Sequence, residues 1–437
     1  MRVKMDYNKT CIFLGVCWLF LEQGFYLLPE KIGLVSLRDI AVLLLVGYQL
    51  WFYLRRPALP RCRGDRFVLL GFSFLLLVLI AAVMAYFHWD QGFLSSILPQ
   101  RYLIAIFPLY FPLKSAIQEG KVSSQQLLSG ILLLGKVELV VMMVQFFAQF
   151  SGVYFLTCDF NSAMYTFTRF GIDGTTMLFV MFYEISNLFR RGKKTVRSLL
   201  WIGMGCVFFF LMCQTRMTLL GICAAVAIFY LTLKTGIRKK MAVTLVMGLA
   251  AIAVFHTTLF QDTIYIRQSG ARNTFDIRQS AISFYLDELK ESPVFGKGGY
   301  PNSVRANLDR GKSAGYNLND NGIFGFLYLY GMPGALWAGG MYWIMLKKGR
   351  KAIRQKENSV YLMFPVYLLA VSATEIHWYW IGSTALTTVL FWLILQHPSD
   401  ANPQPNQVRP SGSQNSSDLP ETATGKERRD FSEGGSF

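Results

Sequence analysis

Apolar stretches of about 20 residues recur along nearly the whole chain, the length of helix that covers the ~30 Å hydrocarbon core of a bilayer. Polar connections, mostly short, separate them. The pattern predicts about twelve membrane spans, at 11–28, 38–54, 67–87, 102–117, 127–150, 172–189, 198–214, 217–233, 241–258, 320–346, 359–374 and 381–396. The least marked are 359–374 and 102–117, the latter short and carrying Pro108 and Pro112. The expected fold is therefore an all-α polytopic membrane protein.

One long connection, 259–319, breaks the rhythm. Within it, Thr274 to Glu291 places Phe275, Ile282, Leu286 and Leu289 near one helical face, with Asn273 or Thr274 as N-cap and Pro293 just past the end. This predicts an amphipathic helix at the membrane surface. The run Phe295 to Pro301 that follows is turn-rich. Beyond the last span, 397–437 is rich in Ser, Pro, Asn, Gln, Gly and charge, a composition with too little to bury, so a disordered tail is expected there after a transmembrane domain over 1–396.

Composition agrees with this picture. Hydrophobic residues make up 53% and charged residues 16% of the chain, whereas a soluble domain carries about 25% charge. A soluble enzyme, a disordered protein and a disulfide scaffold are excluded. The 43 Lys and Arg exceed the 26 Asp and Glu, for a net charge of +17. Their placement explains the excess without a nucleic-acid partner. Alternate connections 1–10, 55–66, 118–126, 190–197, 234–240 and 347–358 hold 24 of them, and the intervening 29–38, 88–101, 151–171, 214–216 and 373–380 only 5. By the positive-inside rule both termini are cytoplasmic, and 259–319 faces outward. The N-terminal segment has no small-residue cleavage site before the next charges, so it reads as a retained span. The seven cysteines form no Cys-x-x-Cys or Cys/His cluster; Cys17, Cys206, Cys213 and Cys223 fall in apolar runs and read as small core residues. No metal site or cofactor is expected.

Several residues could carry chemistry. Arg216 closes the short outer connection Gln214-Thr215-Arg216, where a guanidinium either anchors the interface or binds an anion such as a diphosphate. Arg278 falls near the start of the external helix, where a cation does nothing for helix stability. Arg267, Arg272, Arg305 and Lys312 share that loop as weaker candidates. Asp320, in Asn317-Leu318-Asn319-Asp320-Asn321-Gly322, could act as a base, orient a hydroxyl or cap the next helix. Glu375 and His377 form a second acid–base candidate among Trp378, Tyr379 and Trp380, which an interfacial aromatic belt also explains. Lys136 and Glu138 lie inside a span, where each needs a partner on another helix, and they are the best support for a transporter. No phosphate-cradling Gly-rich loop, His-Glu-x-x-His, Gly-x-Ser-x-Gly or Asp-x-Asp motif occurs, so neither a nucleotide-driven pump nor a metal-dependent nucleotide-sugar transferase is indicated.

Three pieces resemble the O-antigen polymerase and ligase superfamily of bacterial envelope proteins. Gln214 to Leu220 resembles its Thr-x-Ser-Arg turn opening a span, with Thr215 in place of Ser. Arg278 through Leu289, then Ser292-Pro293-Val294-Phe295-Gly296-Lys297-Gly298, is similar to its Arg-bearing helix ending in Pro-x-Phe-Gly-x-Gly. Asp320-Asn321-Gly322-Ile323-Phe324-Gly325, closed by Gly331-Met332-Pro333-Gly334, resembles its His-Asn segment and Gly-hydrophobic-Pro-Gly. Arg169, before Phe170-Gly171, matches a further recurrent Arg.

The resemblance implies a fold like that of C-type glycosyltransferases, in the bacterial inner (cytoplasmic) membrane. The activity implied is metal-independent transfer of a glycan from undecaprenyl diphosphate to a sugar hydroxyl at the outer face, in the making of O-antigen, capsule or exopolysaccharide. A flippase and a chain-length regulator of the same pathway are implied partners. Arg216, Arg278 and Asp320 are then the catalytic candidates, with Arg169, Asn321, Arg267, Arg305, His377 and Glu375 as substrate-binding candidates. Asp320 stands where ligases of the family carry a His, which tilts the reading towards a polymerase of repeat units. Ligase-type transfer to a separate acceptor and a lipid-linked oligosaccharide transporter remain alternatives.

Overall fold

The structure, a computed structural model, describes residues 8–55, 65–161, 168–190, 195–232, 274–299, 318–355, 357–376 and 382–396. The expected span 241–258, the candidates Arg267, Arg272, Arg305, Lys312 and His377, and the tail 397–437 lie outside these residues.

Helices occupy the other expected spans. They are α1 (Lys9–Leu21), α2 (Leu37–Arg55), α3 (Arg66–Trp89), α4 (Arg101–Ile106) with α5 (Tyr110–Gln118), α6 (Ser124–Ala148), α7 (Thr175–Arg190), α8 (Thr195–Val207), α9 (Arg216–Thr232), α11 (Gly322–Arg354), α12 (Val360–Val371) and α13 (Gly382–Gln396), with α10 (Thr274–Leu289) in the long connection. Among the described residues, four stretches, Leu37–Arg55, Arg66–Trp89, Ser124–Ser151 and Val196–Cys213, are long and apolar enough to cross a membrane, and five shorter apolar helices accompany them. Strand is confined, among the described residues, to two antiparallel pairs of two residues, β1 (Lys31–Ile32) with β2 (Val35–Ser36) and β3 (Phe160–Asn161) with β4 (Arg169–Phe170).

The sequence explains where helices stop. Asp65 caps α3, its Oδ1 accepting from the Phe67 amide at 3.0 Å, and Ser123 with Gln126 forms a reciprocal capping box on α6. Pro108 has no amide hydrogen to continue the ladder, so a 3₁₀ turn over Phe107–Leu109 joins α4 to α5. The first span is shorter than the hydropathy suggests: α1 ends at Leu21, and Gln23, Gly24, Phe25 and Tyr26 then adopt φ of 52°, 59°, 62° and 61°. Such a left-handed turn is costly for residues bearing a Cβ.

Leu43, Leu54, Leu69, Val196, Leu231 and Leu336 all lie on the outside, each more than two-thirds exposed. A row of bare aliphatic side chains of this kind is at home in hydrocarbon. Cys223 faces outward too, and Cys206 is only half-buried, so of the four cysteines expected in the core only Cys17 and Cys213 sit there. At the centre stands α13, every residue from Gly382 to Leu395 buried, against α6, α4, α11, α7 and α1. Around it α9 lies along α12, and α11 along α12 and α3.

Candidate functional site

The conformation of the connections that carry the candidates follows from local chemistry. Before Arg216 the helix ladder widens into a π-helix over Phe208–Cys213, a distortion frequent at functional sites. Gln214 then turns left-handed (φ 52°) and α9 starts at Arg216. The phenyl rings of Phe208 and Phe209 lie where a Cβ on Gly174 would sit, 2.7 and 2.8 Å from it, so this turn presses against the start of α7. Strand β4, carrying Arg169, packs on the same π-helix. Arg169 and Asp173 both lie close enough to the Cys213 thiol to act on it electrostatically. The structure thus brings the weakest sequence correspondence, Arg169, to the Gln214-Thr215-Arg216 turn.

Asp173 escaped the sequence reading, although Asp-x-Thr at the mouth of a span is a capping signature. Its Oδ1 accepts from the Thr175 amide at 3.2 Å and hydroxyl at 2.7 Å, while Thr384 of α13 donates to Oδ2. Its own amide donates to the Tyr26 hydroxyl at 3.1 Å, the contact that the left-handed turn after α1 makes possible. Glu22, buried just before that turn, is near enough to Asp173 for their charges to interact, and Arg38 lies within electrostatic reach. On the far side of Cys213, Tyr367 of α12 shares a hydrogen bond with Thr218 and comes near Asp173 and Glu375.

The second group of candidates surrounds the start of α11. Leu318–Asn321 forms a single 3₁₀ turn, with Asn321 buried at the N-cap position in place of the Asp320 cap expected from sequence. Gly322 (φ 48°) lets the Ile323 amide donate to the Ser372 carbonyl at 3.0 Å, with the backbone of 372–374 so close that a Cβ would lie 2.2 Å from that oxygen. This sets the Asp320-Asn321 turn beside the segment leading to Glu375. Helix α10 packs on that turn and on α11. It does so through Ala281 and Tyr285, whose ring meets Tyr328 at 5.1 Å, while Leu286, expected on the apolar face, is exposed. Arg278, half-buried, lies one turn before Ala281 on the packed side.

The two glycine motifs prove to be halves of one joint. Helix α11 breaks at Gly331 (φ 62°, ψ −157°), a conformation open essentially to glycine. The loop after α10 inserts its backbone into the break: the amides of Lys297 and Gly298 donate to the carbonyls of Tyr328 and Leu329 at 2.8 and 3.2 Å, and the Met332 amide donates to the Val294 carbonyl at 2.9 Å. The carbonyls freed by Gly331 and Pro333 are thereby satisfied. Lys297 locks the joint. Its ammonium, 4% exposed, bonds Glu288 at 2.8 Å and Glu291 at 2.6 Å, and its carbonyl accepts from the Trp89 indole at 3.1 Å. The loop is thus tied to α10, α11 and α3 together, which fixes Arg278 relative to the Asp320 turn.

Lys136 and Glu138 each meet a side chain of α7, although Oε1 of the buried Glu138 has no hydrogen-bond partner among the described residues. Lys136 meets Glu184 at 2.8 Å, with Ser198 donating to the other Glu184 oxygen at 2.8 Å, and Thr176 donates to Glu138. No cluster of three or more His, Cys, Asp or Glu placed to hold a metal occurs among the described residues.

Helices of this length and apolarity define a multi-pass membrane protein, with cationic and carboxylate side chains gathered where several helix ends and loops meet. Residues 201–339, the stretch with Arg216, Arg278 and Asp320, match the family described as O-antigen ligase. That match is consistent with the O-antigen polymerase and ligase superfamily and points to a membrane glycosyltransferase-like enzyme of surface-polysaccharide assembly. No curated protein matches it.

Proposed function

We propose that the protein polymerises lipid-linked oligosaccharide repeat units at the outer face of the bacterial cytoplasmic membrane. In this reading the acceptor sugar hydroxyl attacks the anomeric carbon of the donor glycan. The bond from that carbon to the diphosphate oxygen breaks, its electron pair leaves with the lipid diphosphate, and the hydroxyl proton passes to a carboxylate. The residues required are cations for the leaving group and a carboxylate for the proton. Arg216 and Arg278 are assigned the first role, because a planar guanidinium donates two parallel hydrogen bonds to a phosphoryl group and stays charged at any working pH. Fixed cations of this kind stabilise the charge that grows in the transition state. Asp320 is assigned the second role, and Arg169 with Asn321 and Glu375 the binding of substrate.

The observation that carries the reading is the convergence of β4, with Arg169, on the π-helix that opens into the Gln214-Thr215-Arg216 turn. Arg169 is thereby brought, from a distant part of the sequence, to the π-helix that leads to Arg216 and into the neighbourhood of Asp173, a placement that suits a polyanionic substrate.

Ligase-type transfer to a separate acceptor is the second reading, favoured by the description of the matching family. One experiment separates them: the glycan profile of cells lacking the gene, restored with wild type or Arg216→Ala. Single repeats accumulating at the outer side, with the ladder rebuilt by wild type alone, is the result expected. Long unattached lipid-linked chains establish the ligase, and single repeats held on the inner leaflet establish a transporter.

A further inference from the structure

At the far ends of several of these helices, away from the candidate site, a basin of about 930 Å³ opens between α3, α5, α11 and α13. Seven Lys and Arg line it and Asp65 is the one carboxylate on its described wall. That carboxylate is already taken: Lys114, Tyr110 (2.7 Å) and Gln396 (3.0 and 2.9 Å) all donate to it. Burial opposes its ionisation, but these donors prevail and hold its pKa below the ordinary carboxylate value. The other cations are left in excess. Lys347, Arg350, Lys351 and Arg354 stand at positions i, i+3, i+4 and i+7, so they share one face of α11. Lys348 registers the crowding. Burial first, then the charges of Lys114, Lys351 and Arg66, push its ammonium below the usual lysine value against the pull of Asp65.

Cations at a cytoplasmic helix end are ordinary, and they usually fan out into water. These instead converge on one concavity that also has an apolar side. Trp343, Ile344 and Leu346 line it one turn before the cations, and Trp343 is 64% exposed. A charged rim joined to an apolar wall at the end of a membrane helix matches an amphiphile with an anionic head.

We propose that this basin binds the phosphate head group of an anionic phospholipid from the cytoplasmic leaflet, with the acyl chains running along Trp343 and Ile344. Basic pockets between helices on that side of a membrane hold such head groups. The site is separate from the glycan chemistry, so its fate does not depend on the proposed reaction.

The test uses the full chain purified in detergent, with phosphatidylglycerol, phosphatidylcholine and inorganic diphosphate as probes, read by native mass spectrometry and by the shift in melting temperature. Lys347→Gln/Lys351→Gln/Arg354→Gln is compared with Lys9→Gln/Arg55→Gln/Lys121→Gln, which loses the same charge outside the basin. Wild type and the second variant are expected to retain phosphatidylglycerol over phosphatidylcholine. The first variant should bind it at least about tenfold more weakly, given the contribution of each cation near an anionic surface. Equal retention by both variants overturns the proposal, as does stabilisation by inorganic diphosphate equal to that by phosphatidylglycerol, which makes the site one for a small anion. Binding that emerges only after residues 397–437 are removed overturns it as well, because the tail is then the occupant.

Discussion

Lys136 shows how a charge deep in a span is held by partners from neighbouring helices. Its partner Glu184 is itself held by Ser198, and the Trp201 ring lies 5.2 Å from the ammonium. Removing one partner of such a pair strands the other charge, at a cost of about 3–5 kcal/mol, whereas removing both is far milder. Lys136→Met is therefore expected to lower the melting temperature sharply, and Lys136→Met/Glu184→Leu to recover most of it together with a normal glycan ladder. A folded double variant that makes no polymer would return the pair to the reaction or to transport. Lys297 belongs to another category, because it clamps an exposed helix. Burial of its ammonium opposes charge, but the Glu288 and Glu291 carboxylates outweigh that and raise its pKa, while the bond to Lys297 lowers that of Glu291. A raised lysine stabilises fully below its unfolded value and loses the effect as pH rises through its folded one; a depressed carboxylate stabilises above its unfolded value and loses the effect as pH falls through its folded one. The clamp is thus complete between about pH 4.3 and about pH 10.4. The difference in melting temperature between wild type and Lys297→Met should stay level across that window and shrink below it.

Among the elements, the joint between α11 and the loop after α10 explains why two glycine motifs 35 residues apart need each other. A Cβ on Gly331 would lie 2.1 Å from the Val294 carbonyl oxygen, one on Gly296 2.6 Å from the Gly331 amide nitrogen, and one on Gly298 2.2 Å from the Ala81 carbonyl oxygen. Gly331→Ala adds to this clash a backbone conformation that costs on the order of 1–3 kcal/mol. It should destabilise the protein by at least that much and loosen α10, read as a lower melting temperature with faster proteolysis within 274–299. Stability equal to wild type would refute the joint. The motifs were visible in the sequence, but their meeting was not, since nothing local links Val294 to Met332. The helices themselves were legible wherever apolar length decided the matter, whereas the expected span with Pro108 is two short helices joined by a 3₁₀ turn. The first span was overestimated, because hydropathy does not register a left-handed turn such as 23–26. The face of α10 was displaced because Ala281 and Tyr285 weigh less on an apolar scale than Leu286, yet Tyr285 has the aromatic partner. Asp173 and Glu22 went unread for a related reason: each is one carboxylate near a span end, and only the packing of α13 against both α1 and α7 sets them together.

For the whole molecule, the charge asymmetry makes a prediction independent of any chemistry. With the native cysteines replaced, a cysteine at Gly92 should react with a membrane-impermeant thiol reagent in intact cells, and one at Gly120 only after permeabilisation. The reverse pattern would turn the protein over and place Arg216 at the wrong face for an outer reaction. The central position of α13 bears on how the protein is made. This helix is synthesised after every neighbour it touches, and it brings to the middle Ser383, Thr384, Thr387 and Thr388, each buried. Until it arrives, Asp173 lacks the Thr384 hydroxyl that donates to its Oδ2, and the side of α6, α7 and α1 that α13 covers has no partner. A chain truncated before Gly382 is therefore expected to be a ring without its axle, degraded faster than the full-length protein in a pulse-chase comparison; equal half-lives would overturn the central role of α13.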